Sequence, residues 1–249
     1  IGFGPDLAAR LLHDQVPPLG PFEGYRSPDG AHDAPTTQRD LWIWVHGPQR
    51  DGLVDVIRRV VRAWEGLATI ELDIDGFVYR DSRDLTGFVD GTANLPLEDA
   101  PAKTLIPSGR PGEGGCCAMS MHFTHDLDGL AALGDHDQAR VIGRTREDDR
   151  ELPSDEMPND AHVARVEIED DQGEELSVYR RSVPWASASS QGLQFVAFGA
   201  DLARFDQQLR RMYGLDADGR TDRLLDFTKA GSGSFWFCPS VDQLESLVR

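Results

Sequence analysis

The stretch 161-AHVARVEIEDDQGEELSVYRRSVPW-185 decides how the chain is read. His162 opens a run in which Val163, Val166 and Ile168 interleave imperfectly with Arg165, Glu167 and Glu169, close to the period-two spacing of a half-buried strand. The segment Asp170-Asp171-Gln172-Gly173-Glu174-Glu175 carries too many carboxylates to be buried. It reads as a water-facing turn with Gly173 in or near it. Leu176, Val178 and Tyr179 return as a second strand that ends in Arg180-Arg181-Ser182. A hairpin over these residues brings His162 and Arg180 to the same end, where an imidazole and a guanidinium can build a site.

Outward from the hairpin, the pattern alternates between strands and helices. Leu193 to Phe198 alternates as a strand. Residues 201 to 213 give the clearest amphipathic helix, with Leu202, Phe205, Leu209 and Met212 on one face and Gly214 as its stop. Asp201 suits the positive end of that helix, and Arg210 and Arg211 the negative end. Thr221 to Phe227 predicts a short helix, and Ser234 to Pro239 a last strand. Upstream, Cys116 to Phe123 predicts a strand. Leu127 to Leu133 and Gln138 to Ile142 predict short helices, the second ending at Gly143-Arg144. In the first part of the chain, residues 40 to 46 and 69 to 75 read as strands. Between them residues 51 to 67 carry Leu53, Val54, Ile57, Val60, Val61 and Trp64 at helical spacing. A short helix is expected at Asp6 to His13. The polar, glycine-rich loop 81-DSRDLTGFVDGTAN-94 is a poor core segment and a good ligand loop. Prolines and glycines over residues 95 to 115 place a domain boundary there, giving units 1–112 and 113–249. The fold class is α+β, with helices packed on antiparallel sheets.

Composition narrows the function. The 249 residues carry a net charge of -18, from 25 basic against 43 acidic side chains, a balance that disfavours nucleic-acid backbones. No stretch reaches the length of a membrane span. Cys116, Cys117 and Cys238 make no disulfide framework and have no zinc or iron–sulfur spacing, and there is no CxxCH for covalent haem attachment. A reduced, cytoplasmic protein is the simplest expectation.

Several stretches together resemble the dye-decolourising peroxidases, especially their bacterial cytoplasmic-type (B/P-type) branch. They are RDLTGFVDGTAN, IGRTREDDREL, PNDAHVARVEI, VYRRSVPW, GLQFVAF and DRLLDFTKAGSGSFWFCP, in the family's order over most of residues 75 to 240. The Gly87–Gly91 element alone is a weak signal; joined to the histidine and arginine segments it is specific. The resemblance implies tandem ferredoxin-like domains and a bound haem b. It also implies that a strand and a helix usually precede the segment Ile1 to Gly4, so either those elements lie outside these 249 residues or the first domain is incomplete.

The same resemblance implies roles residue by residue. His162 is the proximal ligand to haem iron, with Asp222 accepting a hydrogen bond from its other ring nitrogen and Asp226 as the competitor. Asp90 sits on the distal side as a proton carrier for hydrogen peroxide. Arg180, rather than Arg181, stabilises charge as the O–O bond breaks. Ser182 holds water or orients Arg180. Gly87 and Gly91 let the backbone approach the porphyrin, and Arg144 faces a haem propionate. Leu193 and Phe195 line the apolar distal wall, and Met212 packs on the proximal side. Ala93 stands where close relatives often have glutamate. Without the family context, Asp90 is a turn residue, Arg180 and Arg144 are surface ion pairs, and Leu193, Phe195 and Met212 are ordinary core. Trp185, Tyr179, Tyr213 and Trp236 are candidate electron relays, each equally readable as packing.

The expected activity is reduction of hydrogen peroxide with oxidation of phenolic, dye-like or other small one-electron donors, in a homo-dimer or larger homo-oligomer. Three alternatives stay open at this stage: porphyrinogen oxidation or iron release from haem, non-catalytic haem storage or sensing, and a divalent-metal module built on the aspartate loop.

Overall fold

Cys117, Met119, Met121 and Phe123 alternate along one strand and are all buried, because a central strand covered on that face must turn every second side chain inward. A computed structural model describes residues 1–169, 173 and 175–248 of the chain. In chain order the first half runs β1 (Gly2–Phe3), α1 (Pro5–Leu12), β2 (Tyr25–Arg26), β3 (Asp33–Ala34), β4 (Leu41–Trp42), α2 (Arg50–Ala63) and α3 (Ala100–Thr104). The second runs β5 (Cys116–His125), α4 (Leu127–Ala131), α5 (Asp135–Ile142), α6 (His162–Val166), β6 (Tyr179–Arg180) and β7 (Val183–Ala186). It continues with β8 (Gln191–Gly199), α7 (Ala203–Met212), β9 (Thr228–Cys238) and α8 (Val241–Ser246).

Among the described residues one antiparallel sheet has the order β4-β1-β9-β5-β8-β6, with β7 also paired to β8. The α+β class with antiparallel pairing is as the sequence implies. On one face the apolar stripe of α7 (Phe205, Leu209, Met212) packs with the odd-numbered residues of β5 and with Phe22, Leu225 and Phe235. Each such fully buried side chain is worth about 1.5–3 kcal/mol. A second cluster gathers Phe3, Ala8, Leu12, Ile106 and Phe237. Thus β9 serves both clusters, through Phe235 in one and Phe237 in the other. On the opposite face Trp236 is buried and donates from its indole N–H to Ser120 Oγ at 2.8 Å. Trp42 stacks against it at 6.1 Å.

Four expectations change. The run from His162 to Val166 is a helix, not a strand. Arg165 N–H donates to Ala161 O at 3.1 Å, and Glu167 N–H to Val163 O at 3.1 Å. That turn buries Arg165 (1% exposed) against the Arg211 carbonyl and Asp218, a pairing an alternating strand would not make. The hairpin survives only beyond it: Leu176 N–H donates to Ile168 O at 2.9 Å, and Glu169 bridges Glu175. Its expected turn, Asp170 to Gln172 with Glu174, lies outside the described residues. Residues 69 to 75 form no ladder; only Gly76 bridges Trp185. The strand expected over residues 40 to 46 shortens to β4, beyond which Trp42, Trp44 and His46 stack ring on ring. The helix expected over Thr221 to Phe227 is a 3-10 turn, Arg223–Asp226. By contrast α2 forms where expected, yet Val54, Ile57 and Val61 on it stay exposed.

Candidate active site

His162 stands at the start of α6, and its ring is held by a neighbour distant in sequence. Nδ1 lies 2.7 Å from Asp222 Oδ2, and Asp222 has no exposed surface. The second carboxylate oxygen accepts from Leu224 N–H at 2.8 Å and caps the 3-10 turn. A carboxylate only accepts, so Nδ1 carries the proton and Nε2 keeps the lone pair. Asp226, the competitor, instead pairs with His32 Nε2 at 3.2 Å.

The loop 81 to 94 carries Asp90, whose carboxyl feels the charge of His162. Gly87 (φ 91°) and Gly91 (φ 86°) both occupy the left-handed region, which a side chain would strain. Arg83 latches the loop, donating to Gly87 O at 2.8 Å and to Arg146 O at 2.7 Å. Asp90 N–H donates to Ser82 O at 2.9 Å. Burial pushes the Asp90 carboxyl above the usual carboxylate range; the positive Arg180 opposes that, nearby Asp84 adds to it, and His162 opposes it too. Asp90, Arg180 and His162 therefore share one electrostatic environment.

Asn94 ties the loop to the strand that carries Arg180. Its amide nitrogen donates to Arg180 O at 2.8 Å, and its amide oxygen accepts from Arg180 N–H at 2.9 Å. The Arg180 backbone is thus gripped twice. Arg180 Nε is buried with no hydrogen-bond partner among the described residues. Neither Asn94 nor Arg83 was assigned a role from sequence. Asn94 was the more findable, since a primary amide inside a ligand loop can both donate to and accept from one backbone position.

The remaining candidates separate. Ser182 Oγ accepts from Val196 N–H at 3.3 Å, while Arg181 is exposed and its N–H donates to Val196 O. Leu193 and Phe195 on β8 are half-buried and pack against the cluster that contains Met212. Arg144 is engaged by its own segment: Nε meets Asp149 Oδ1 at 2.9 Å, and another nitrogen meets Glu151 Oε2 at 3.0 Å. Beside the site, a cleft of about 820 Å³ is lined by Asn94, Leu95, Glu167, Ile168 and Arg211, among others. Burial and the like charges of Glu151 and Glu175 raise the Glu167 carboxyl, with Arg144 and Arg180 opposing.

Among the described residues no group of three or more His, Cys, Asp or Glu is arranged to hold a metal ion. A single imidazole whose Nδ1 is taken by Asp222, in a site where the Arg180 Nε is buried with no hydrogen-bond partner among the described residues, fits an iron porphyrin. There the ring supplies four of the iron's ligands and the protein needs to supply only one. Among the described residues no helix is long and apolar enough to cross a membrane.

Comparison with known proteins identifies the family. The family profile for Dyp-type peroxidase, N-terminal, matches residues 1–78, and that for Dyp-type peroxidase, C-terminal, matches residues 81–243. A dye-decolorizing peroxidase of Mycolicibacterium paratuberculosis is 37% identical over 217 residues, covering 86% of this chain and 61% of that protein. One from Mycobacterium tuberculosis is 33% identical, covering 98% of this chain and 74% of its own length. The chain thus spans less than two thirds of the first relative and about three quarters of the second. A DypB variant from Rhodococcus jostii RHA1, solved in complex with heme, superposes with a TM-score of 0.93 at 35% identity, over 98% of this chain and 79% of that one. On the matched profiles, the relatives and the arrangement of His162, Asp222, Asp90 and Arg180, this chain belongs to the dye-decolourising peroxidase family.

Proposed function

We propose that the chain is a haem-dependent peroxidase that reduces hydrogen peroxide and takes electrons one at a time from phenolic or dye-like donors. The observation that carries it is the fully buried Asp222 carboxylate 2.7 Å from His162 Nδ1. That contact fixes the tautomer, makes the imidazole more electron-donating and leaves Nε2 as the atom that would hold the haem iron. Haem b, when bound, supplies the iron that accepts the peroxide oxygen and stores the oxidising equivalents. Everything else falls to this chain. Asp90 takes the proton from the near peroxide oxygen and returns it to the departing one, directly or through a water. Its raised pKa suits a group that must both accept and release a proton. Arg180 meets the negative charge on the departing oxygen, and its unpartnered Nε is an N–H donor already desolvated for that purpose. Asn94 fixes the backbone of Arg180, and Arg83 fixes the loop that carries Asp90. Leu193 and Phe195 present apolar surface beside them, and Gly87 and Gly91 keep the loop low.

The relative solved with heme supports the cofactor. Three free cysteines support a reducing, cytoplasmic location. The exposed Val54, Ile57 and Val61 of α2 support assembly into a homo-dimer or larger homo-oligomer. The test is reconstitution. Haem titrated into the purified chain should give a strong Soret band at one equivalent, and peroxide should then shift that band until a phenolic donor restores it. His162→Ala should abolish the shift and weaken haem binding. A His162→Ala protein that binds haem and reacts with peroxide as the parent does would overturn the reading.

A further inference from the structure

Cys116 opens β5 and Cys238 closes β9, and the ladder sets these two residues directly opposite one another. Directly opposed residues of an antiparallel pair have Cα atoms about 4.5–5.5 Å apart and point to the same face. Disulfides span Cα separations of about 4.4–6.8 Å. Both cysteines are free and partly exposed, whereas Cys117 is buried, faces the other side of the sheet and pairs with Phe237. The strands are drawn close here: a Cβ at Gly115 would meet the Cys238 carbonyl at 2.6 Å and the Phe237 ring at 2.9 Å.

We propose that Cys116 and Cys238 form an oxidation site, converted by hydrogen peroxide into a disulfide that staples the start of β5 to the end of β9. The Cys116 sulfur attacks one peroxide oxygen. The O–O bond breaks, hydroxide leaves with the thiol proton as water, and a sulfenic acid remains. The Cys238 sulfur then attacks that sulfur. The S–S bond forms, the S–O bond breaks, and the second hydroxide leaves with the Cys238 proton as a second water. Two thiols lose two electrons in total, and one peroxide becomes two waters.

The division of labour follows from the environment. The contact between the two thiols holds Cys116 below its usual range and pushes Cys238 above its own. Of the pair, Cys116 gives up its proton more readily and attacks first, and Cys238 resolves it. Burial pushes Cys117 up to about 12, which keeps it a bystander. Immediately after Cys238, Ser240 caps α8 through a reciprocal bond with Gln243. The staple thus anchors the point where the chain leaves the sheet. A site of this kind does not depend on the haem reading, since it needs only peroxide and the two thiols.

The test uses the full chain, haem-loaded and haem-free, reduced and then given small repeated additions of hydrogen peroxide. Thiols titrated in denaturant should fall from three to one and be restored by dithiothreitol. Non-reducing digestion should yield a linked peptide pair containing Cys116 and Cys238. The oxidised protein should melt about 5–10 °C higher than the reduced one, as expected for closing so long a loop. Cys116→Ser and Cys238→Ser should each abolish both the linked pair and the melting shift, while Cys117→Ser should keep them. Three persistent thiols, loss of thiols without the linked pair, or links only between separate chains would each overturn the proposal in either sample.

Discussion

His162 is held through its ring: Nδ1 meets a carboxylate that has no contact with water, and that carboxylate is itself fixed by capping the next turn. Arg180 is held through its backbone: Asn94 grips its N–H and its carbonyl, and the guanidinium Nε has no partner among the described residues. A group that must grip something permanently is served by a fixed ring and tautomer. A group that must meet charge only briefly is better served by a fixed root and an unspent head. The contrast shows two kinds of anchor, one on a side chain and one on a backbone, and makes the hydrogen bond missing at Arg180 Nε among the described residues informative.

That contrast can be broken most severely at Arg180. Arg180→Leu should leave haem binding near the parent value and slow peroxide cleavage by about 10²–10³-fold, read by rapid-mixing absorbance. Equal rates would mean that the unspent head is idle. Asp222→Ala should behave in the opposite way. Losing the accepted bonds from His162 and Leu224 should destabilise the fold by about 3 kcal/mol in urea titration and weaken haem binding by about 10–100-fold. If neither quantity moves, the His162 side is not held as described. Asn94→Ala should fall between the two, with about 1–2 kcal/mol lost in stability and peroxide cleavage slowed about tenfold. Haem affinity should be unaffected in that variant, and a large loss of it would place Asn94 on the wrong side of the comparison.

The smallest expected effect sharpens the link between the groups. A carboxyl above its usual range loses its charge first as pH falls, so the acid limb of peroxide cleavage should have its midpoint above the ordinary carboxylate value of 3.8. Arg180 lowers the Asp90 value, so the midpoint should climb further in Arg180→Leu. A midpoint that stays put would uncouple the two. The same shift sets a sign for stability. The folded state favours protonated Asp90, so this group's contribution is full below its unfolded value and is lost as pH rises through the folded one.

Periodicity carried α7 well, because Leu202, Phe205, Leu209 and Met212 have an amphipathic stripe to bury. It also carried α5, whose end at Gly143 requires a left-handed residue. It failed at α6, where the β-branched Val163 and Val166 mimic a strand. The deciding contact there is between Arg165 and Asp218, 53 residues away, which no local window contains. It failed again over residues 69 to 75, where a strand-like composition finds no neighbouring strand to complete it. In the other direction β9 runs back to Thr228 through Gly231 and Gly233. Glycines seldom suggest a strand, but at Gly233 any Cβ would strike the Phe22 ring at 2.3 Å. At the site, motif resemblance named His162, Asp222, Asp90 and Arg180, and the structure gathers them. The grip of Asn94 was not legible, because it depends on two backbone atoms 86 residues further on.

A single strand, Thr228–Cys238, answers to both halves of the molecule, bonding to β1 on one side and β5 on the other. Neither half can come loose without tearing a seam it shares with the other. The amides of Phe235 and Phe237 should accordingly be the slowest to trade hydrogen for deuterium, both released together only when the whole chain opens.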